Sequence, residues 1–217
     1  MDLASAYMAK GQPRLALVEL DKIKDRAKDI PYYHFLKGLV YLQLKEREKG
    51  ILALNRAVKL DPAYGDAWHY LGLAYLLDKN EEKAIKCFEK ALSIESYPTP
   101  ELAAHNLALV YIQRGEIDRA ICYEKKALTQ NWRYLPSYLT LIKLFQKKED
   151  IESAIMWAKK GIEAFPDNVE LYFLLGENYL RLGKKQEAKK AFTEVLLLDK
   201  QCKTKFAKVA RDYLDIL

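Results

Sequence analysis

Three histidines, three cysteines and two pairs of adjacent acids are the side chains with which this 217-residue chain could do chemistry. A zinc site asks for three or four donors around one ion. His69 and His105 stand at equivalent places in neighbouring repeats, but with His34 elsewhere they make only two imidazoles, and they read as polar residues of a wet groove. Cys87, Cys122 and Cys202 are odd in number and show no CxxC spacing. That argues against a disulfide framework and reads as small buried apolar side chains. Glu81 with Glu82 and Glu149 with Asp150 would need burial to raise a carboxyl pKa into a useful range for acid–base work. They fall instead at helix starts, where a carboxylate complements the helix dipole. Gly176 and Gly183-Lys184 are separated by six residues, not the four of a phosphate loop, and no HExxH or GxSxG occurs. The reading is no enzyme, no cofactor and no metal.

The elements that must hold these residues repeat. Small residues recur at Ala4, Gly38, Gly72, Ala108 and Gly176, with Ile142 as the exception. Three positions later come Tyr7, Tyr41, Tyr75, Tyr111, Phe145 and Tyr179; twelve later come Ala16, Gly50, Ala84, Ala120, Ala154 and Ala188. The intervals are 34, 34, 36, 34 and 34. Small residues at these two places let paired helices approach closely, and the aromatic on the same face fills the space beside them. Each pair leaves apolar surface that only a neighbour can cover. The one long interval falls at Ser96-Tyr97-Pro98-Thr99-Pro100, where two prolines forbid a continuous helix.

Trp68, Leu71, Gly72, Tyr75, Ala84 and Phe88, with Pro62 and Pro166 at repeat ends, resemble the tetratricopeptide (TPR) pattern W-x2-L-G-x2-Y, A-x3-F, Pro. The resemblance implies an all-α, right-handed α-solenoid of six TPR helix pairs plus a C-terminal capping helix. The expected single domain over 1–217 has repeats at 1–30, 31–64, 65–100, 101–134, 135–168 and 169–202, and the cap at 203–217, where Phe206, Val209, Ala210, Tyr213 and Leu214 keep helical spacing.

Half of the residues are apolar and 30% are charged, which suits amphipathic helices, and no apolar run approaches the roughly 18 residues of a spanning helix. The net charge of +6 raises nucleic acid as a partner, but runs such as Lys45-Glu46-Arg47-Glu48-Lys49 mix signs, and nucleic-acid binding is disfavoured. Counting back from Ala4 and Tyr7 leaves about three residues of the first helix unaccounted for, which predicts a trimmed start.

In the TPR family the first helices line a concave groove that takes a peptide or a partner's helix. The resemblance places Tyr32, Phe35, Leu39, Leu42, His69, Leu73, Leu76, His105, Asn106, Leu109, Ile112, Lys143 and Lys147 on it. The Lys and Asn clamp with which chaperone-binding relatives hold a terminal carboxylate is absent, since Phe35, Leu39 and Leu73 stand at such places. The stretch Tyr97 to Tyr111 is similar to the long joint of bacterial TPR lipoproteins of type IV pilus biogenesis, the pilotins. That likeness implies a non-enzymatic scaffold for an outer-membrane secretin on the periplasmic side of the outer membrane, although Ala108 replaces the usual Gly and no lipobox cysteine is visible. The alternatives are a cytoplasmic adaptor for another complex and a basic RNA-binding solenoid.

Overall fold

A computed structural model describes residues 1–217 and contains thirteen α-helices and no strand. They are α1 (Asp2–Ala9), α2 (Pro13–Lys22), α3 (Pro31–Gln43), α4 (Arg47–Leu60), α5 (Gly65–Leu77), α6 (Glu81–Leu92), α7 (Pro100–Gln113), α8 (Ile117–Gln130), α9 (Leu135–Lys147), α10 (Ile151–Ala164), α11 (Val169–Arg181), α12 (Lys185–Leu198) and α13 (Lys205–Ile216). The helices fall into six hairpins and a terminal helix, the all-α repeat fold that the spacing implies. Two compact units divide at α7: an N-terminal unit, Met1–Val110, and a C-terminal unit, Tyr111–Leu217. No helix is long and apolar enough to cross a membrane.

All six hairpin turns are built alike. A residue in the left-handed region follows each first helix: Gly11 (φ 67°), Lys45 (63°), Lys79 (58°), Gly115 (77°), Glu149 (61°) and Gly183 (71°). In each, the amide three residues past the helix donates to the carbonyl of the repeat's aromatic, as in Asn80 to Tyr75 at 2.8 Å and Lys184 to Tyr179 at 2.9 Å. The left-handed residue's own amide donates three residues back, as in Lys79 to Leu76 at 3.0 Å. This Schellman arrangement satisfies carbonyls that a helix end leaves orphaned. Glycine is absent from three of the turns because the remaining hydrogen bonds over-determine them. A Cβ at Gly115 would meet nothing within 4 Å, so backbone strain alone sets the effect of filling it. Gly115→Ala is expected to lower stability by about 1 kcal/mol and Lys79→Gly to raise it by about 0.5 kcal/mol, because relief of strain exceeds the added freedom of the unfolded chain. Urea denaturation of both variants checks this; a destabilised Lys79→Gly contradicts it.

Inside the hairpins the small residues face large ones. A Cβ at Gly38 would lie 2.6 Å from Leu54 Cγ, at Gly72 2.6 Å from Phe88 Cε1, and at Gly176 2.5 Å from Phe192 Cε1. Ile142 breaks the small-residue rule, and its partner place sixteen residues on holds Ala158; both are fully buried, so the volumes are exchanged, not increased. Cations stack on the repeat aromatics as well: Lys49 over Tyr41 at 5.6 Å, Lys83 over Tyr75 at 5.2 Å and Arg119 over Tyr111 at 5.4 Å.

The proline-rich joint turns Tyr97 inward, where it is 4% exposed and packs against Gly65, whose Cβ would stand 2.6 Å from that of Tyr97. At the other end α13 covers α12 and α11 as a cap. Thr204 Oγ1 accepts from the Ala207 amide at 3.2 Å, and Asp199 accepts from the Lys203 and Thr204 amides at 3.1 and 2.8 Å. Backbone amides on its carboxylate hold Asp199 below the usual range. Tyr213 stacks on Phe192 at 4.9 Å. The cysteines remain free thiols; Cys87 is buried, whereas Cys122 is exposed, so the expectation of burial is corrected there.

Candidate functional site

The first-helix face of the N-terminal unit carries ten of the thirteen residues expected to line a groove. Proline at or near the start of α3 and the Schellman end of each first helix fix which side chains share that face. Tyr32 on α3 and Leu109 on α7 are 37% and 43% exposed. Leu39, Leu42, Leu73 and Leu76 are half-buried, and Leu39 and Leu42 pack against the core of repeats 2 and 3. Tyr32 meets the preceding repeat, its hydroxyl 3.1 Å from Ser5 Oγ.

Two expected contact residues turn out to be core. Phe35 is 8% exposed because Tyr64, at the end of its own repeat, and Tyr70 of the next repeat cover it, with ring centroids at 5.0 and 5.6 Å. His69 is 5% exposed and lies among Tyr70, Phe88 and Tyr97 at 5.4, 5.8 and 6.1 Å. A wet role for His69 is therefore replaced by a buried one. Asn106 Nδ2 donates to its Nε2 at 2.8 Å, which assigns the ring proton to Nδ1 and ties α5 to α7. Burial brings the imidazole down to about 4. His105 is half-buried, and no group of three metal-ligating side chains occurs.

The C-terminal unit holds the other three. Ile112 is half-buried, while Lys143 and Lys147 are exposed, Lys143 lying 3.5 Å from Glu170. A polar bridge that sequence reasoning missed joins α9 to α11 here: Gln146 Nε2 donates to Asn178 Oδ1 at 3.0 Å, and buried Asn178 donates to the Leu174 carbonyl at 2.7 Å. The signal available was an asparagine two residues past Gly176, a place where all five other repeats carry apolar residues.

Within the N-terminal unit, the successive faces of α3, α5 and α7 present side chains that can meet an extended peptide or a helix. Tetratricopeptide repeat family models match residues 31–64, 64–130 and 169–202. The chain belongs to the tetratricopeptide repeat family. TPR proteins are repeat scaffolds that bind peptide or protein partners. Among curated relatives, BBSome complex member BBS4 of Bos taurus is 25% identical over 182 residues, covering 84% of this chain and 34% of its own length. Anaphase-promoting complex subunit 3 of Schizosaccharomyces pombe is 22% identical over 214 residues, covering 99% of this chain and 32% of its own. This TPR chain thus spans about a third of the length of those two relatives. Of solved structures, PilW, described as a widely conserved type IV pilus biogenesis factor, shares the fold with a TM-score of 0.71 and 18% identity over 96% of this chain and 94% of its own. Pseudomonas aeruginosa pilF gives 0.75 and 19% over 91% and 89%.

Proposed function

We propose that this TPR chain captures a partner protein on the α3–α5–α7 face of its N-terminal unit, as an accessory factor of type IV pilus assembly whose partner is the secretin. The observation that carries the capture is the apolar face itself: exposed Tyr32 and Leu109, with half-buried Leu39, Leu73 and Leu76 on the same successive first helices. Burying such side chains against a partner yields about 1.5–3 kcal/mol each. The pilus assignment is supported by the long Tyr97–Pro100 joint and by the fold shared with PilW over nearly the whole of both chains.

A second reading is favoured by the curated relatives, which are members of other multi-protein complexes. It makes the chain an adaptor for a different assembly. Replacing the exposed pair, Tyr32→Asp with Leu109→Asp, is expected to weaken capture about a hundredfold, the sum of two lost anchors, with helical signal and melting temperature unchanged. In the native organism the same double substitution should abolish heat-stable secretin multimers. Multimers that persist at normal levels sink the pilus reading, and partner capture that survives sinks the face assignment.

A further inference from the structure

Five of the six repeats place leucine immediately before the small residue of the first helix: Leu3, Leu71, Leu107, Leu141 and Leu175. Leu71, Leu107, Leu141 and Leu175 are at most 9% exposed, so beyond the first repeat, where Leu3 is 52% exposed, the position belongs to the hairpin core. Repeat 2 has Lys37 there. Its ammonium donates to Asp21 Oδ1 and to Tyr33 Oη, each at 3.3 Å, and stands 5.6 and 6.0 Å from the Tyr33 and Tyr41 ring centres. Burial acts to lower its pKa, but the hydrogen bond to Tyr33 and the carboxylate of Asp21 leave it raised. Beside it lies a cleft of about 680 Å³ whose lining includes Lys24, Lys28, Lys37, Lys49 and Arg56 and no carboxylate.

The cleft lies apart from the face formed by Tyr32, Leu39, Leu73 and Leu109, because none of those residues lines it. Its charge is local. At the equivalent place in repeat 6, Leu175, Glu187 and Glu194 stand for Lys37, Lys49 and Arg56, and the hollow shrinks to about 240 Å³. Three acids already reach toward the rim cations of the basic cleft, Asp21 to Lys37, Asp29 to Arg56 and Glu46 to Lys49, all on exposed side chains that an incoming carboxylate can displace. Lys24 and Lys28 form no ion pair.

The geometry points to a second binding site, one that takes an acidic peptide segment bearing an aliphatic side chain. The carboxylates meet the cation ring, and the aliphatic group meets Leu52, which is 74% exposed at the edge of the cleft beside Ala53. A nucleobase is disfavoured because the rings of the cleft are already engaged, half-buried His34 by the Lys28 carbonyl 2.7 Å from its Nε2 and by the Tyr33 ring edge-on at 5.1 Å. Tyr33 is 3% exposed, and Tyr41 is approached by both Lys37 and Lys49.

The test titrates the full chain with a fluorescein-labelled peptide of about ten residues alternating Asp, Glu and Leu, long enough to seat part of its length in the hollow and lay the rest along the rim. Its Asn/Gln counterpart and a labelled oligouridylate serve as comparison probes. Lys37→Leu restores the repeat core, so it is expected to raise the melting temperature while weakening acidic-peptide binding at least about tenfold. Lys28→Gln with Lys49→Gln and Arg56→Gln should weaken it as much. The equal charge change at Lys184→Gln, Lys185→Gln and Lys189→Gln should leave it within about twofold, because none of those lysines lines the cleft. Equal loss in both triple variants, undiminished binding by Lys37→Leu, binding of the amide peptide as tight as the acidic one, or tighter binding of oligouridylate each overturns the site. The Tyr32→Asp with Leu109→Asp protein should bind the acidic peptide normally, which separates this site from the first-helix face.

Discussion

Gly72→Ala is expected to destabilise the N-terminal unit by about 3 kcal/mol, because the added methyl has nowhere to go. Its Cβ would lie 2.6, 2.8 and 2.9 Å from three atoms of the Phe88 ring, all inside contact distance. Phe88 is fully buried and shares its pocket with His69, so the ring cannot swing into solvent to make room. The repeats themselves supply the remedy. Repeat 1 solves the same packing with Ala4 and Leu20, both buried at the equivalent places. Phe88→Leu alone should lose about 1–2 kcal/mol by leaving a cavity opposite a glycine. The double variant, Gly72→Ala with Phe88→Leu, should be more stable than the sum of the two losses by at least about 1 kcal/mol, a coupling that neighbours in direct contact show. Urea denaturation of the four proteins measures it. A Gly72→Ala protein as stable as the parent, or additive losses, would mean that the helices in this hairpin are held apart by something other than these two residues.

The hairpins were legible because close helix approach demands small residues, and demand of that kind recurs at fixed spacing whatever the surface does. Ala16, Ala84, Ala120, Ala154 and Ala188 are all wholly buried, as that argument requires. The long joint and the cap were legible for related reasons: Pro98 and Pro100 forbid a continuous helix through the joint, and Phe206, Ala210 and Tyr213 keep helical period. The candidate site was legible only in part. Spacing puts His69 on the same side of α5 as Leu73 and Leu76, but what covers it comes from 28 residues away, where the proline joint turns Tyr97 inward. Phe35 is hidden in the same way by Tyr64, at the N-cap of α5. Helical periodicity assigns a face to a side chain; it carries no information about which distant aromatic lands on that face. The left-handed residues show another limit. Lys45, Lys79 and Glu149 adopt a conformation that composition associates with glycine, because hydrogen bonds on either side dictate the turn. Lys37 stands where other repeats carry leucine, and its meaning depends on Tyr33, Tyr41 and Asp21 meeting around it.

Acidification should destabilise the N-terminal unit through His69. The imidazole is neutral in the folded chain, where burial holds it at about 4, while the unfolded chain titrates near the ordinary value of 6.5. Between those values the unfolded state takes up a proton that the folded state refuses, so stability falls as the pH drops. It is fully present above 6.5, is lost progressively on the way down, and the loss levels off below about 4, having reached roughly 3 kcal/mol. The hydrogen bond adds to the effect: Nε2 accepts from Asn106 Nδ2 at 2.8 Å, and a protonated ring can no longer accept. Nearby Asp66 and, in the other unit, Glu177 have raised pKa values through burial, and they act in the opposite direction, since a carboxyl raised in the fold gains stability on acidification. The comparison that isolates His69 is therefore with His69→Gln, which keeps an acceptor for Asn106 and removes the titration. Denaturant midpoints followed from pH 7 to 4 should fall further in the parent than in the variant, by the difference just given. Parallel curves would place the imidazole in contact with water, and with it would go the buried bridge between α5 and α7.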